Sequence, residues 1–169
     1  MSADFEQIVV DSENNVVEIS KGTVEFLRPK KFRWNYKQPY EQLLISDGRH
    51  LWFYDKDLEQ VIKKNLDGAI ESSPAAFLGG LVGMEENFLL SEMERKENLD
   101  RVEVLPLKED ASFESIIIGF AEKKLTRIEV LDYFAQKTIF RFSRYNQDPF
   151  FDKGHFVFIP PKNVDIILE

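Results

Sequence analysis

Two histidines are the residues of this sequence best suited to acid–base chemistry or metal binding. His50 and His155 lie far apart in the chain, and neither belongs to an HExxH or similar spacing that brings two ligands together. Either imidazole could still meet a carboxylate in the folded chain, but an ordinary surface position fits both histidines better. We therefore predict no metal site.

The sequence lacks the motifs of nucleophilic catalysis and phosphate binding. It has no GxSxG turn, no Walker A loop and no GxGxxG, and with Cys 0 it has no thiol nucleophile or thiolate ligand. The glycine-rich run 79–83 is followed by Met84-Glu85-Glu86, where a phosphate cradle would need Lys and Ser or Thr. Acidic pairs such as Glu109-Asp110 are better explained as solvated surface. We predict no catalytic residue, no cofactor and no enzymatic activity.

The charge of the chain argues against anionic partners. Its 22 basic and 30 acidic residues give a formal net charge of -8 at pH 7. Proteins that bind nucleic acids normally present a basic face to the phosphates, and broad docking on anionic lipid surfaces needs the same sign. The longest uncharged apolar stretch, Ser72 to Met84, is also shorter than the about 20 residues that a membrane-spanning helix requires. We predict neither nucleic-acid binding nor a membrane span.

Aromatic side chains are the strongest lead, since they make up 13% of the chain and include 15 Phe. Strand alternation predicts four groups that each share a face: Val24, Phe26 and Arg28; Phe32, Trp34 and Tyr36; Thr138, Phe140 and Phe142; and Phe156 with Phe158. On a curved sheet these stripes would line the concave side. The pattern alone favours an ordinary core over a cavity and leaves both open.

Arg28 shifts this balance towards a cavity. Its parity directs it with Phe26 to the apolar side, where an unpaired guanidinium is costly, and its own strand offers no obvious acidic neighbour. The last carbonyl groups of a short helix above the sheet would satisfy such a cation and form a latch that can open. The alternative is an arginine that snorkels to the rim of the sheet.

The elements that must position these rings are mostly strands joined by hairpin turns. Turn residues such as Ser46-Asp47-Gly48 and the strand-ending Pro29 separate them, and Gly22 indicates a bulge or bend within a strand. The predicted strands span residues 3–10, 16–27, 32–37, 42–45, 51–54, 57–64, 101–107, 112–120, 125–131, 138–145 and 155–159. Ser72-Ser73-Pro74 begins a short predicted helix, residues 81–90 a second one, and residues 91–100 are ambiguous.

Four segments resemble one known family in the same order along the chain. Arg28-Pro29-Lys30-Lys31-Phe32-Arg33-Trp34 resembles the R-P-x-x-F-x-W signature of the LolA family of periplasmic lipoprotein carriers. Residues 44–54, with the sequence LISDGRHLWFY, resemble the family's S-D-G-x-x-L-W-x-Y motif. Residues 73–78 resemble its helical lid, and residues 156–161 resemble its closing strand. The resemblance extends from about Phe5 to Val164, and the first two motifs together are specific.

The resemblance implies a mainly β fold with short helices (α+β), in which one curved antiparallel sheet forms an incomplete β-barrel capped by a helical lid. We expect a single LolA-like domain over residues 1–169, in which the family's signal peptide and first helix are missing. The implied cavity is lined by Phe5, Val24, Phe26, Phe32, Trp34, Tyr36, Leu44, Trp52, Phe140, Phe142, Phe156 and Phe158. The implied lid carries Pro74, Phe77, Leu78 and Leu81, and Arg28 is its latch.

The implied function is to shuttle acylated lipoproteins across the periplasm. The implied partners are these lipoproteins, an inner-membrane ABC transporter that releases them and an outer-membrane receptor. Other roles stay open: a LolA-like receptor, a glycolipid carrier or an envelope-stress sensor. A lipid esterase is a further alternative, but no serine lies in the strained turn that such an enzyme needs.

Overall fold

A single sheet dominates the computed structural model, which describes residues 1–66, 88–107 and 111–169. Alternating apolar residues and short turns favour strands throughout these segments. The strands are β1 (Ser2–Val10), β2 (Val16–Leu27), β3 (Lys31–Gln38), β4 (Gln42–Asp47), β5 (His50–Asp55), β6 (Gln60–Asn65), β7 (Phe88–Lys96), β8 (Leu99–Pro106), β9 (Ser115–Ala121), β10 (Lys124–Leu131), β11 (Lys137–Asn146) and β12 (Asp165–Leu168).

The strand order is β12-β6-β5-β4-β3-β2-β1-β11-β10-β9-β8-β7. Consecutive strands pair as antiparallel hairpins from β1 to β6 and again from β7 to β11. β1 joins the two series, because it pairs with β2 on one side and with β11 on the other. β12 adds to the edge of β6 in the parallel direction. The central position of β1 brings ring residues from both ends of the sequence onto neighbouring strands.

The sheet is curved, and a pair of rings shows which side is concave. Trp34 on β3 and Phe140 on β11 are separated by β2 and β1, so a flat sheet would hold their backbones about 14 Å apart. Their ring centroids lie only 5.1 Å apart. The face that carries both rings is therefore the concave one, called the inner face below, and the opposite face is the outer face.

The C-terminal part of the chain crosses the outer face. Phe158 contacts Trp52 and Tyr54 of β5, at centroid distances of 5.6 and 5.9 Å. His155 Nε2 lies 2.8 Å from a carboxylate oxygen of Glu25 on β2. We call residues 150–160 the C-terminal strap. The strap lies across the outer face of β2, β3 and β5, and the chain then continues into β12 at the edge of the sheet.

The structure corrects three of the predicted elements. Residues 88–96, predicted as the end of a helix and an ambiguous segment, form edge strand β7. Residues 155–159, the predicted closing strand, form no strand, and the last strand is β12, which the sequence did not predict. Its four side chains are all exposed, so burial left no alternation to detect. The predicted lid helix and most of the second helix lie outside the described residues.

The predicted bulge at Gly22 is confirmed. The register between β2 and β3 shifts between Lys21 and Gly22. Nowhere in residues 1–66, 88–107 and 111–169 is there a helix long and apolar enough to cross a bilayer.

Candidate functional site

A cluster of aromatic rings occupies the centre of the inner face. Phe5 on β1 lies 5.2 Å from Trp34 and 5.0 Å from Tyr36 between ring centroids, with Phe140 at 6.3 Å. Trp34 also contacts Phe142 and Phe26 nearly edge to face, at 6.1 and 6.2 Å. We call Phe5, Phe26, Phe32, Trp34, Tyr36, Phe140 and Phe142 the inner cluster.

Strand register explains why these rings meet. Phe5 is paired with Gly22 on one neighbour and with Phe142 on the other, while Trp34 is paired with Val24. Residues paired across a sheet point to the same face, so the alternation predicted on β2, β3 and β11 brings their rings to one surface. Val24 is fully buried, and Leu44, which pairs with Trp34, packs against the same core.

Gly22 makes room for the ring of Phe5. A Cβ atom at this position would lie 1.9 Å from the backbone oxygen of Asn35 and 2.8 Å from the ring of Phe5. No side chain can be accommodated there without moving β2 from β3. The glycine therefore permits the close approach of the two strands under the ring cluster.

Trp34 carries an unused donor in this apolar setting. Its side chain is 0% exposed, and its Nε1 has no hydrogen-bond partner in the described part of the structure. Buried indole N–H groups usually find an acceptor, because an unpaired buried donor costs free energy.

One end of the inner face is a polar cavity. It has a volume of about 340 Å³ and is lined by Gln7, Glu18, Ser20, Tyr36, Pro39, Tyr40, Gln42, Leu44, Phe53 and Phe140. The Tyr36 hydroxyl donates to Gln7 Oε1 at 2.7 Å, and the Ser20 hydroxyl donates to Glu18 Oε1 at 2.6 Å. Burial, with a smaller contribution from the charge of Glu18, raises the pKa of Tyr36, so the phenol stays neutral.

The other end of the inner face is a smaller apolar cavity with Arg28 at its rim. It has a volume of about 150 Å³ and is lined by Met1, Phe26, Arg28, Ile118, Phe120, Lys123, Leu125 and Tyr145. Arg28 itself is exposed. β2 ends at Leu27 and residues 28–30 form a turn, so Arg28 reaches this cavity from the turn and not from the strand. Its position fits the rim alternative and still places the guanidinium beside the apolar cavity.

Three predicted cavity residues lie elsewhere. Trp52 is paired with Ile45, one residue along from the inner-face Leu44, so it points to the outer face. There it meets Phe158, and Phe156 packs against Phe151 and His155 of the same strap. The expectation that these three residues line the inner surface is therefore wrong, because Trp52 points to the outer face of β5 and the strap that carries Phe156 and Phe158 crosses that face.

Sequence reasoning missed a second apolar part of the inner face. Ile116 and Ile118 on β9 and Ile128 on β10 are buried in the same core as the rings, as are Phe88 and Phe113. The alternation on β9 was hidden by the run Ile116-Ile117-Ile118, of which only the middle residue faces outwards. Ile118 is paired with the buried Ile128 of β10, and this pairing identifies the inner face of β9.

Both histidines meet a carboxylate, the alternative that the sequence favoured less. His155 contacts Glu25 as described, and Arg33 Nη1 donates to the His155 carbonyl at 3.5 Å. His50 Nδ1 lies 3.4 Å from Asp47. Within residues 1–66, 88–107 and 111–169, no group of three or more His, Asp or Glu side chains is arranged to hold a metal ion.

The predicted lid lies outside the described residues. Pro74, Phe77, Leu78 and Leu81 all belong to the segment 67–87. The described part of the site is thus the inner face with its ring cluster, its two end cavities and Arg28.

Comparison with known proteins identifies the family. The family model "Outer membrane lipoprotein carrier protein LolA" matches residues 1–159. Outer-membrane lipoprotein carrier proteins of Nitrosospira multiformis and Nitrosomonas europaea are 44% and 41% identical over 99% of this chain, which covers 81% and 82% of their lengths. The crystal structure of LolA superfamily protein NE2245 from Nitrosomonas europaea matches the fold with a TM-score of 0.51 at 11% identity, covering 88% of this chain and 86% of that one. The chain belongs to the LolA family.

Proposed function

We propose that this protein is a carrier that holds the acyl chains of lipoproteins against its inner face. The observation that carries the proposal is the inner cluster, a concave surface of rings flanked by an apolar and a polar cavity. The relatives that match nearly the whole chain are named outer-membrane lipoprotein carrier proteins, which supports the same function. The site residues we propose are the inner cluster together with Val24 and Leu44.

The energetics of acyl binding are favourable on such a surface. Each methylene group removed from water contributes about 0.8 kcal/mol, so about ten covered methylenes would contribute about 8 kcal/mol. In this structure the rings contact one another, so an entering chain must replace ring–ring contacts. Each such contact is worth about 0.5–1.5 kcal/mol beyond the area it buries, which lowers the net affinity to a level that allows release.

We further propose that a helical lid over residues 73–81 completes an incomplete β-barrel and competes with the cargo. Pro74, Phe77, Leu78 and Leu81 would supply its apolar face, and Arg28 would hold it by bonding its last carbonyl groups. The exposed position of Arg28 at the rim of the apolar cavity supports this role. Cargo would then enter only by breaking this contact.

The partners and the location follow from the carrier role. We propose that the protein works in the periplasm, receives lipoproteins from an inner-membrane ABC transporter and delivers them to an outer-membrane receptor. Transfer down a gradient of affinity uses no nucleotide and no catalytic group. The polar cavity beside Tyr36 would leave the hydrophilic part of the cargo near solvent.

The test is the formation of a soluble complex with an acylated lipoprotein. A purified lipoprotein in detergent is mixed with the protein, the detergent is removed, and the products are separated by size-exclusion chromatography. We expect an equimolar complex with the acylated lipoprotein and none with the same protein lacking its acylated cysteine. Aggregation of the lipoprotein despite an excess of the carrier would contradict the proposal.

A further inference from the structure

Trp34 has a polar N–H group, whereas the rings that surround it have none. The rings around it, Phe5, Phe26, Phe140 and Phe142, are pure hydrocarbon, and they offer no acceptor for an indole N–H. The side chain is completely buried, yet its Nε1 has no partner in any described segment. Another phenylalanine would fill an apolar position without leaving a donor unpaired.

The position of Trp34 relates it to both cavities of the inner face. Its ring contacts Phe140, which lines the polar cavity, and Phe26, which lines the apolar cavity. Trp34 therefore lies directly behind one ring of each cavity, and an acyl chain that displaced Phe26 or Phe140 would meet this indole. A saturated hydrocarbon tail would leave the donor unpaired, whereas the carbonyl at the head of an acyl chain is a hydrogen-bond acceptor.

We propose that the indole N–H of Trp34 donates a hydrogen bond to the ester or amide carbonyl oxygen of a bound acyl chain. This inference rests on the proposed carrier function and deepens it, because it assigns the feature of the lipid that the site recognises. The hydrocarbon would supply affinity through burial, and Trp34 would supply selectivity for acyl over alkyl chains. It would also fix how far the chain enters, since the carbonyl marks the start of the tail.

Paired lipopeptides separate this contact from general packing. Binding is measured by isothermal titration calorimetry with two lipopeptides. In the first, the cysteine sulfur carries a glyceryl group with two ester-linked palmitoyl chains. The second is its analogue with two ether-linked chains of the same length. We expect the native protein to bind the ester form about tenfold more tightly, which equals about 1.4 kcal/mol. Trp34→Phe should bind the ester and ether forms with equal affinity, whatever the change in overall affinity.

Trp52→Phe is the matched control. Trp52 lies on the outer face, so its replacement should leave the ester preference intact. A diester phospholipid and its diether analogue of equal chain length show whether recognition extends beyond peptide-linked lipid. An ester preference that depends on Trp34 supports the contact in either lipid.

Nuclear magnetic resonance tests the contact in the unaltered binding site. The chain has 2 Trp, so its ¹⁵N spectrum has two indole N–H signals, which Trp52→Phe assigns. The Trp34 signal should move further downfield with the ester lipopeptide than with the ether form, since both forms change the surrounding rings and only the ester offers an acceptor. This measurement needs no Trp34 variant and stands even if Trp34→Phe fails to fold.

Two results would overturn the assignment of Trp34 while leaving the carrier function intact. These are equal binding of ester and ether forms by the native protein, and an ester preference that persists in Trp34→Phe. If neither lipopeptide binds the native protein, the carrier function fails, and the inference fails with it.

Discussion

The two faces of the sheet each hold a group of aromatic rings, but the groups are anchored differently. Within the described residues, the inner cluster is held almost entirely by contacts between apolar rings, with the hydrogen bond from Tyr36 to Gln7 at its margin. The outer group, Trp52, Tyr54, Phe151, Phe156 and Phe158, is fixed by polar contacts as well. Lys63 lies 4.8 Å from the Trp52 ring centroid, and His155 bonds Glu25. Hydrocarbon can substitute for contacts of the first kind but not for those of the second.

The largest effect on stability and binding is expected when a ring of the inner cluster is removed. Phe140→Ala removes a side chain that is 3% exposed, and we expect it to lower the free energy of unfolding by about 3–5 kcal/mol. It should also weaken the binding of a fluorescent fatty-acyl probe. Phe158→Ala, at a half-buried ring on the outer face, should cost about 1–2 kcal/mol and leave probe binding unchanged. Urea unfolding measures the loss of stability, and titration with the probe measures the loss of binding. Equal losses of binding in the two variants would contradict the proposed difference between the two faces.

A methyl group at Gly22 should be nearly as damaging as the loss of a ring. Gly22→Ala places Cβ against the backbone of Asn35, which cannot yield without separating β2 from β3, and we expect a loss of about 3 kcal/mol. Gly119→Ala is the control, because its nearest contact is the Cδ1 atom of Leu99 at 3.0 Å, at the end of a side chain that can rotate. We expect it to change stability by at most about 1 kcal/mol. The melting temperatures of both variants are measured by thermal unfolding, monitored by circular dichroism. A similar melting temperature for the two variants would contradict the prediction.

The hairpins and the inner-face rings could be predicted from the sequence, because both depend on local signals. The turn predicted at Ser46-Asp47-Gly48 joins β4 to β5, and alternation placed Phe32, Trp34 and Phe140 on one surface. The outer face could not be predicted in the same way. Phe156 and Phe158 are two residues apart as in a strand, yet they lie in a strap whose course is set by distant contacts such as Glu25.

Edge strands were the other failure, and exposure explains it. β7 carries Glu92, Glu94, Arg95 and Lys96, charges that suit an edge strand but remove the apolar alternation by which strands are found. Arg28 shows a related limit. Parity predicts a side-chain direction only while the strand continues, and β2 ends one residue earlier.

A smaller effect is expected at Arg28, and it concerns release more than stability. Arg28→Leu removes the proposed latch from the rim of the apolar cavity, so bound acyl chains should be retained about fivefold longer, equal to about 1 kcal/mol. Transfer of a labelled lipoprotein to the receptor measures this. Arg144→Leu, at an exposed arginine paired with Asp4 on the outer face, is the control and should release cargo at the native rate. Unchanged transfer in Arg28→Leu would remove the latch from the proposal.

The smallest effect is expected where the strap is bound to the outer face. His155→Ala breaks the contact with Glu25, and because both side chains are partly exposed we expect a loss of only about 0.5–1 kcal/mol in the free energy of unfolding. The single variants and His155→Ala/Glu25→Gln complete a double-mutant cycle whose coupling energy should fall in the same range. Probe binding should be unchanged throughout, because the inner cluster is untouched. Weaker binding in His155→Ala would show that the two faces are coupled, and the contrast between a replaceable inner surface and a fixed outer one would then be wrong.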